Sequence, residues 1–439
     1  MTRRRRRTCP HPAAPATLPD DDDILSEILL HLPPQPSSLP RASLVCKRWR
    51  RLVTDPHFRR SFRARHRKLP LIGFFDNLVG PSSFRSVMDP PDLIPGKRFS
   101  PPLHDDKGGS NPDKWRIYGC RHGRVLLYSR TQKEILLWDP PTGDHCRVAV
   151  PPEFENEEKM IWNGAVLCAA VGDHSHVHGG FNSCPLKVAV VGVTSNHTQV
   201  FASIYSTETG NWSDLVSVTL PFEVHTVTHP GTLVGNILYW MPLGLGYGIV
   251  EFDLARPSLS VIEWPSGAKF KGNGSCRIVL TDDGCLGLAV LSHQRLKMWE
   301  RRVCSEGVAK WVLEKSHKLR KILGQRSWSK VILGYADDIN VMLLWIDGRI
   351  WVLQLDSLQC TKLWETNIIC RNHPYATIYD SDPDDIFMIE KTFQWQIRKY
   401  QYKRTEEMTY PYERTEEMPI IFSQDTGPAT GIQSLPGDC

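Results

Sequence analysis

The residues best suited to chemistry sit in a short histidine run. His174, His176 and His178 alternate between Cys168 and Cys184, and imidazole and thiolate are zinc-ligand types. Alternation places the three imidazoles along a strand edge or loop, the flanks are glycine-rich, and the 12 cysteines include no Cys-x-x-Cys pair. The run therefore reads as a surface loop, and no metal or other cofactor is expected. Asp337-Asp338 and Asp382 to Asp385 offer paired carboxylates, but Asp in a polar stretch between apolar runs serves turns through its own side-chain hydrogen bonds. The chain carries no Gly-x-Ser-x-Gly elbow, Walker-type phosphate loop or His-Glu-x-x-His pair. No catalytic residue is assigned, and the expectation is a protein that is not an enzyme.

Bulk properties point the same way. Over 439 residues the net charge is +5, too mild for a whole-molecule nucleic-acid binder. The positive excess lies early, in Arg3 to Arg7 and in ten Lys/Arg against one acid from Lys47 to Lys68. Arg3 to Arg7 is either a nuclear-import patch or a solvated basic end. No run of about 18 apolar residues is present, so no membrane helix is expected. No apolar stretch follows the basic start, so no secretory signal is expected either. The cysteines then belong in a reducing compartment, the cytoplasm or the nucleus.

Two kinds of element must position whatever this chain does. Near the start, Leu18-Pro19 opens a helix at the position proline favours, and Asp20 to Asp23 places negative charge at the positive end of its dipole. Ile24, Leu25, Ile28, Leu29 and Leu32 then line a face until Pro33-Pro34 stops it. A second helix from about Pro40 carries Leu44, Val45, Trp49 and Leu52, and a third runs from His57 to Arg67. So short a set of helices buries little by itself and suits docking.

From Leu69 the pattern turns to strands. Leu69 to Phe75 is an apolar strand, and residues 76–114 read as an irregular excursion. Thereafter an apolar strand, a polar turn and a second strand with an aromatic recur. Equivalent points fall at Trp138, Tyr205, Phe252, Trp299 and Leu355; the last four are about 47 to 56 residues apart, the size of a four-stranded propeller blade, and the first gap is longer because residues 153–184 include an insertion. The expected fold is α+β and multidomain: a short three-helix module followed by an all-β propeller of about six blades. Residues 1–17 read as a disordered tail, 18–67 as the helical module, 69–402 as the propeller and 403–439 as a second disordered tail. Ring closure is expected between Leu69–Phe75 and a strand near Phe387–Tyr400.

Leu18-Pro19, Ile24-Leu25, Ile28-Leu29, Leu32 and the run Leu44-Val45-Cys46-Lys47-Arg48-Trp49-Arg50-Arg51-Leu52 resemble the F-box. Leu69 to Phe75 and Trp138-Asp139-Pro140-Pro141-Thr142-Gly143 are similar to the plant F-box proteins that carry an associated β-propeller-like domain. The resemblance implies a substrate-recognition subunit of a Skp–cullin–F-box ubiquitin ligase. Its F-box would dock a Skp-type adaptor, and through it the cullin–RING ligase, while its propeller binds an unidentified target protein. The implied adaptor contacts are Leu18, Pro19, Ile24, Leu25, Ile28, Leu29, Leu32, Leu44, Val45, Cys46 and Trp49. Trp49 serves either as a direct anchor or as packing inside the module. Neither membrane nor nucleic acid is an expected partner. The alternative is a propeller that binds a small ligand, or an enzyme, with an incidental helical start.

Overall fold

The computed structural model describes residues 21–378, apart from 67, 77–82, 104–114, 155–157, 170–184, 222–223, 228, 245–247, 266–274, 293, 304–306, 325–328 and 367–371. The histidine run, Arg3 to Arg7, Leu18, Pro19, Asp382 to Asp385 and the 403–439 tail lie outside those residues.

Four helices form the N-terminal module: α1 (Asp22–Leu30), α2 (Ser38–Ser43), α3 (Lys47–Thr54) and α4 (Pro56–Arg65). The Asp21 side chain caps α1 by accepting from the Asp23 N–H at 2.8 Å. Asp55 caps α4, accepting from His57 and Phe58 N–H at 2.8 and 3.0 Å, with Pro56 in the first turn. The second helix of the sequence reading is two helices. Leu44 and Val45 lie between them, and Cys46 is fully extended. Ala42, Trp49 and Val53 fall in helical phase across that gap, so periodicity alone cannot reveal it.

The remainder is a ring of six small sheets, each a twisted antiparallel blade. Blade 1 holds Trp115–Arg121, Arg124–Ser129, Glu134–Trp138 and His145–Ala149. Blade 2 holds Lys159–Cys168, Leu186–Thr194 and Gln199–Ser206, with Asn211–Trp212 and Val216–Thr219 on its outer edge. Blade 3 holds Thr232–Val234, Ile237–Trp240, Gly248–Asp253 and Ser258–Glu263, and beside it Val224–Val227 pairs with Pro242–Gly244. Blade 4 holds Cys276–Leu280, Leu286–Leu291, Arg295–Val303 and Ala309–Lys318. Blade 5 holds Lys330–Ala336, Val341–Ile346, Arg349–Gln354 and Cys360–Glu365. The repeat points Trp138, Tyr205, Phe252 and Trp299 all lie on the third strand of their blades, and Leu355 directly follows the third strand of blade 5.

Blade 6 is assembled from both ends of the described chain. Leu71–Asp76 is its middle strand, pairing with Ser83–Ser86 on one side and Asn372–Ala376 on the other. Closure uses Asn372–Ala376, which with Ser83–Ser86 fills both edges of Leu71–Asp76; residues 387–400, where the closing strand was expected, lie outside the described residues. The supposed excursion at 76–114 is also structural. It contributes Ser83–Ser86, a short 3-10 turn at Gly96–Phe99, and the buried side chains Phe84, Ile94, Phe99 and Leu103. Phe75 sits at the centre of this closure, with ring centroids 5.2 Å from Phe84, 5.7 Å from Trp138 and 5.2 Å from Tyr375. Gly73 is required there, since a Cβ would come within 2.4 Å of the Arg85 carbonyl oxygen and of the Phe84 ring.

Helices and ring pack together. Ile378, just past the innermost strand of blade 6, is buried among Leu25, Leu29, Phe58 and Phe62 of the helical module. Lys68 pairs with Asp356 at 3.1 Å, and the Ser37 N–H donates to Asp92 at 2.9 Å.

Candidate docking face

Asp22 fixes the geometry of the helical module. Its carboxylate accepts from Arg48 at 2.6 Å and from Arg51 at 2.7 Å, tying the first turn of α1 to α3. The hydrogen bond from Arg48 holds the Asp22 carboxyl below the usual carboxylate range.

The apolar residues of α1 then divide between two faces. Leu25 and Leu29 are fully buried against Leu39, Ala42, Val53, Phe58 and Phe62. Ile24 and Ile28, one residue earlier in each turn, are 52% and 50% exposed. Leu44 and Val45 repeat this at the α2–α3 break, at 52% and 56%. A large aliphatic side chain left half in water forgoes on the order of 1 kcal/mol of burial, and two such pairs exposed on one small module are of the kind that marks an interaction site.

The other expected contacts are less uniform. The Cys46 thiol is free and exposed. Leu32 and Trp49 are half-buried against the module's own cluster, so part of each side chain packs there and part stays accessible. Leu25 and Leu29, also expected as contacts, are buried within the module's own cluster. One-stripe periodicity could not separate inward from outward residues, because α1 is apolar on both sides.

The ring axis holds a second concentration of polar residues. The Arg121 Nε donates to Asp337 at 3.2 Å, and Arg121 Nη2 donates to the Gly231 carbonyl at 3.1 Å. The Leu233 N–H donates to Asp337 at 2.7 Å, so one buried ion pair links blades 1, 3 and 5 across the axis. Beside it, burial and the nearby Asp337 charge push the Asp338 carboxyl up to about 6. The Asp337-Asp338 pair, read from sequence as a turn, thus also braces the axis. The space left among Cys120, Arg121, His229, Gly231, Thr232 and Tyr335 is about 20 Å³, room for a water molecule or two. Among the described residues, no group of three or more His, Cys, Asp or Glu is arranged to hold a metal ion. No helix among them is long and apolar enough to cross a membrane.

Comparison with known proteins matches both parts of the chain. Residues 17–61 match the F-box domain. Residues 116–381 match the family described as F-box protein AT5G49610-like, beta-propeller. The Arabidopsis thaliana F-box protein At5g03970 is 25% identical over 292 residues, covering 64% of this chain and 65% of that one. The chain thus spans just under two thirds of that relative. The Arabidopsis thaliana F-box/kelch-repeat protein At3g17530 is 25% identical over 322 residues, covering 71% of this chain and 74% of that one. A solved Dos1 propeller aligns over 72% of this chain and 71% of its own at 10% identity, but its TM-score of 0.34 is too low to support an argument.

Proposed function

The chain belongs to the F-box proteins that carry an AT5G49610-like β-propeller, and from that membership we propose that it is a substrate receptor of a Skp–cullin–F-box ubiquitin ligase, working in the cytoplasm or the nucleus. The observation that carries this reading is the exposed quartet Ile24, Ile28, Leu44 and Val45, held in place by a buried core and by the Asp22–Arg48 and Asp22–Arg51 pairs.

In this reading the quartet, with Cys46 beside it, enters an apolar groove on a Skp-type adaptor. Trp49 and Leu32 back it from the half-buried layer, and Leu25 and Leu29 support it from below. The propeller holds a target protein at a fixed distance from the adaptor, through the rigid contacts at Ile378, Lys68 and Ser37. The receptor makes and breaks no bond; its contribution to ubiquitin transfer is proximity.

The test is a pull-down of purified Skp-type adaptor by the full-length chain and by the variant Ile28→Asp/Val45→Asp. Both substitutions fall on exposed positions, so the variant is expected to melt as wild type does. Adaptor binding is expected to fall by at least a hundredfold. Undiminished binding by a folded variant would remove this face from the adaptor interface.

A further inference from the structure

The described residues expose eight large apolar side chains. Four belong to the F-box face, and the other four, Val303, Val308, Val312 and Leu313, lie on or beside the outer hairpin of blade 4. That hairpin differs from its counterparts in charge as well. Its strands Arg295–Val303 and Ala309–Lys318, with the helical turn Leu319–Leu323 that follows, carry nine Lys/Arg against two Glu. The net charge of the entire chain is only +5. The outermost strands of the other blades carry at most one Lys or Arg each, whereas Ala309–Lys318 has Lys310, Lys315 and Lys318.

Internal ion pairs account for part of this charge. Arg302 pairs with Glu300, Arg301 with Glu251 at 3.7 Å, and Lys315 with Asp282. No carboxylate among the described residues neutralises Lys310, Lys318, Arg320 or Lys321, and all four are exposed. The hairpin is held firmly: the Trp311 indole N–H donates to the Glu263 carbonyl of blade 3 at 2.8 Å. The outer hydrogen-bonding edge of Ala309–Lys318 pairs with no described strand.

We infer that the outer edge of blade 4 is where the target docks, as an extended segment of about ten residues that adds to Ala309–Lys318 as a further strand, with apolar side chains at its centre and carboxylates at both ends. This rests on the substrate-receptor reading above. Strand addition satisfies the open backbone edge, and alternate side chains of the added strand meet the two faces of the hairpin. Val312 and Leu313 occupy the middle of the strand, one on each face, while Lys310 lies toward one end and Lys318, Arg320 and Lys321 toward the other. Lysines on an edge strand also guard it against edge-to-edge aggregation. A guard has no use for Val312 and Leu313 in solvent, whereas a docking edge has. The same apolar pair favours a peptide over nucleic acid, whose phosphates would engage the cations alone.

The experiment uses the full-length chain bound to its Skp-type adaptor. The probe is a fluorescein-labelled decapeptide with four Asp or Glu at its ends and Val and Leu at its centre, read by anisotropy. A decapeptide with the same centre and lysine ends is the control, and a labelled 20-base-pair DNA duplex is run in parallel. The acidic peptide is expected to bind at least tenfold more tightly than the lysine one. That affinity should drop at least tenfold in Val312→Ser/Leu313→Ser and, independently, in Lys310→Glu/Lys318→Glu. Absence of peptide binding, or equal binding by wild type and both variants, overturns the inference. Duplex binding abolished by the lysine substitutions, without peptide binding, overturns it in favour of nucleic acid. Adaptor binding is followed in the same samples. Its loss with peptide binding intact would refute the ligase reading and leave the blade 4 edge standing.

Discussion

The F-box face and the blade 4 edge both leave apolar side chains in water, but they are built differently. On α1 the exposed residues Ile24 and Ile28 stand back to back with the buried Leu25 and Leu29. The helix satisfies its own backbone, so only side chains are on offer. On blade 4 the exposed Val312 and Leu313 sit on a strand whose outer edge pairs with no described strand. A helical face suits one partner of fixed shape, since recognition rests on a preformed groove. A sheet edge accepts any chain that can extend, and specificity must come from side chains at alternate positions. In the proposed reading, one constant partner and one variable kind of partner have use for both.

The sharpest way to break this comparison is to substitute adjacent residues on α1. Leu29→Asp should destabilise the F-box by about 4 kcal/mol or more, because an unpaired carboxylate enters its core. Ile28→Asp should change stability by no more than about 0.5 kcal/mol. Hydrogen exchange at the F-box amides separates the two, and equal effects would mean that the inward and outward faces are not distinct. The corresponding pair on blade 4 is expected to differ less. Leu296 is fully buried between blades 4 and 5, and Leu296→Ala should cost about 3 kcal/mol of propeller stability. Leu313→Ala should stay within about 0.5 kcal/mol in the same denaturant titration.

The smallest effect sharpens the comparison by touching neither patch. Asp338 has a folded-state pKa of about 6, above the ordinary carboxylate value, so the folded chain holds a proton that the unfolded chain releases between pH 4 and 6. Its contribution to stability is therefore greatest below about pH 4 and is lost as pH rises through 6. Asp338 is half-buried, so solvent screening keeps the effect to about 1 kcal/mol. Asp338→Asn should raise the melting temperature by a few degrees at pH 7.5, and the gain should vanish by pH 4. A gain that persists at pH 4 would mean that Asp338 does not titrate in this way. Because the residue sits on the ring axis, the transition that moves identifies propeller melting, against which the two patches can be compared.

Much of the ring was legible in the sequence. Trp138, Tyr205, Phe252 and Trp299 mark the same strand in four blades because each packs, buried or half-buried, into a hydrophobic cluster. Blade 6 was not legible, since its strands come from opposite ends and share no local repeat. Phe84 and Phe99 were missed for a related reason. Each is a single aromatic in a stretch rich in proline and glycine, with no periodicity to mark it as core. The residue types announced the F-box, but which of its side chains face outward depends on what packs beneath them. The α2–α3 break kept helical phase and so left no trace. On blade 4 the Lys and Arg residues were countable from the start. Their meaning rested on Ala309–Lys318 being an outermost strand, which only the sheet order reveals.

The burial of Ile378 in the F-box core has a consequence for the order of synthesis. The ribosome delivers the helices first and the last blade strand more than 300 residues later. Leu25, Leu29, Phe58 and Phe62 meet their final neighbour only after Asn372–Ala376 has been made and the ring has closed. An unfinished chain therefore presents an F-box whose core lacks Ile378, and the complete helical core is a property of the finished propeller.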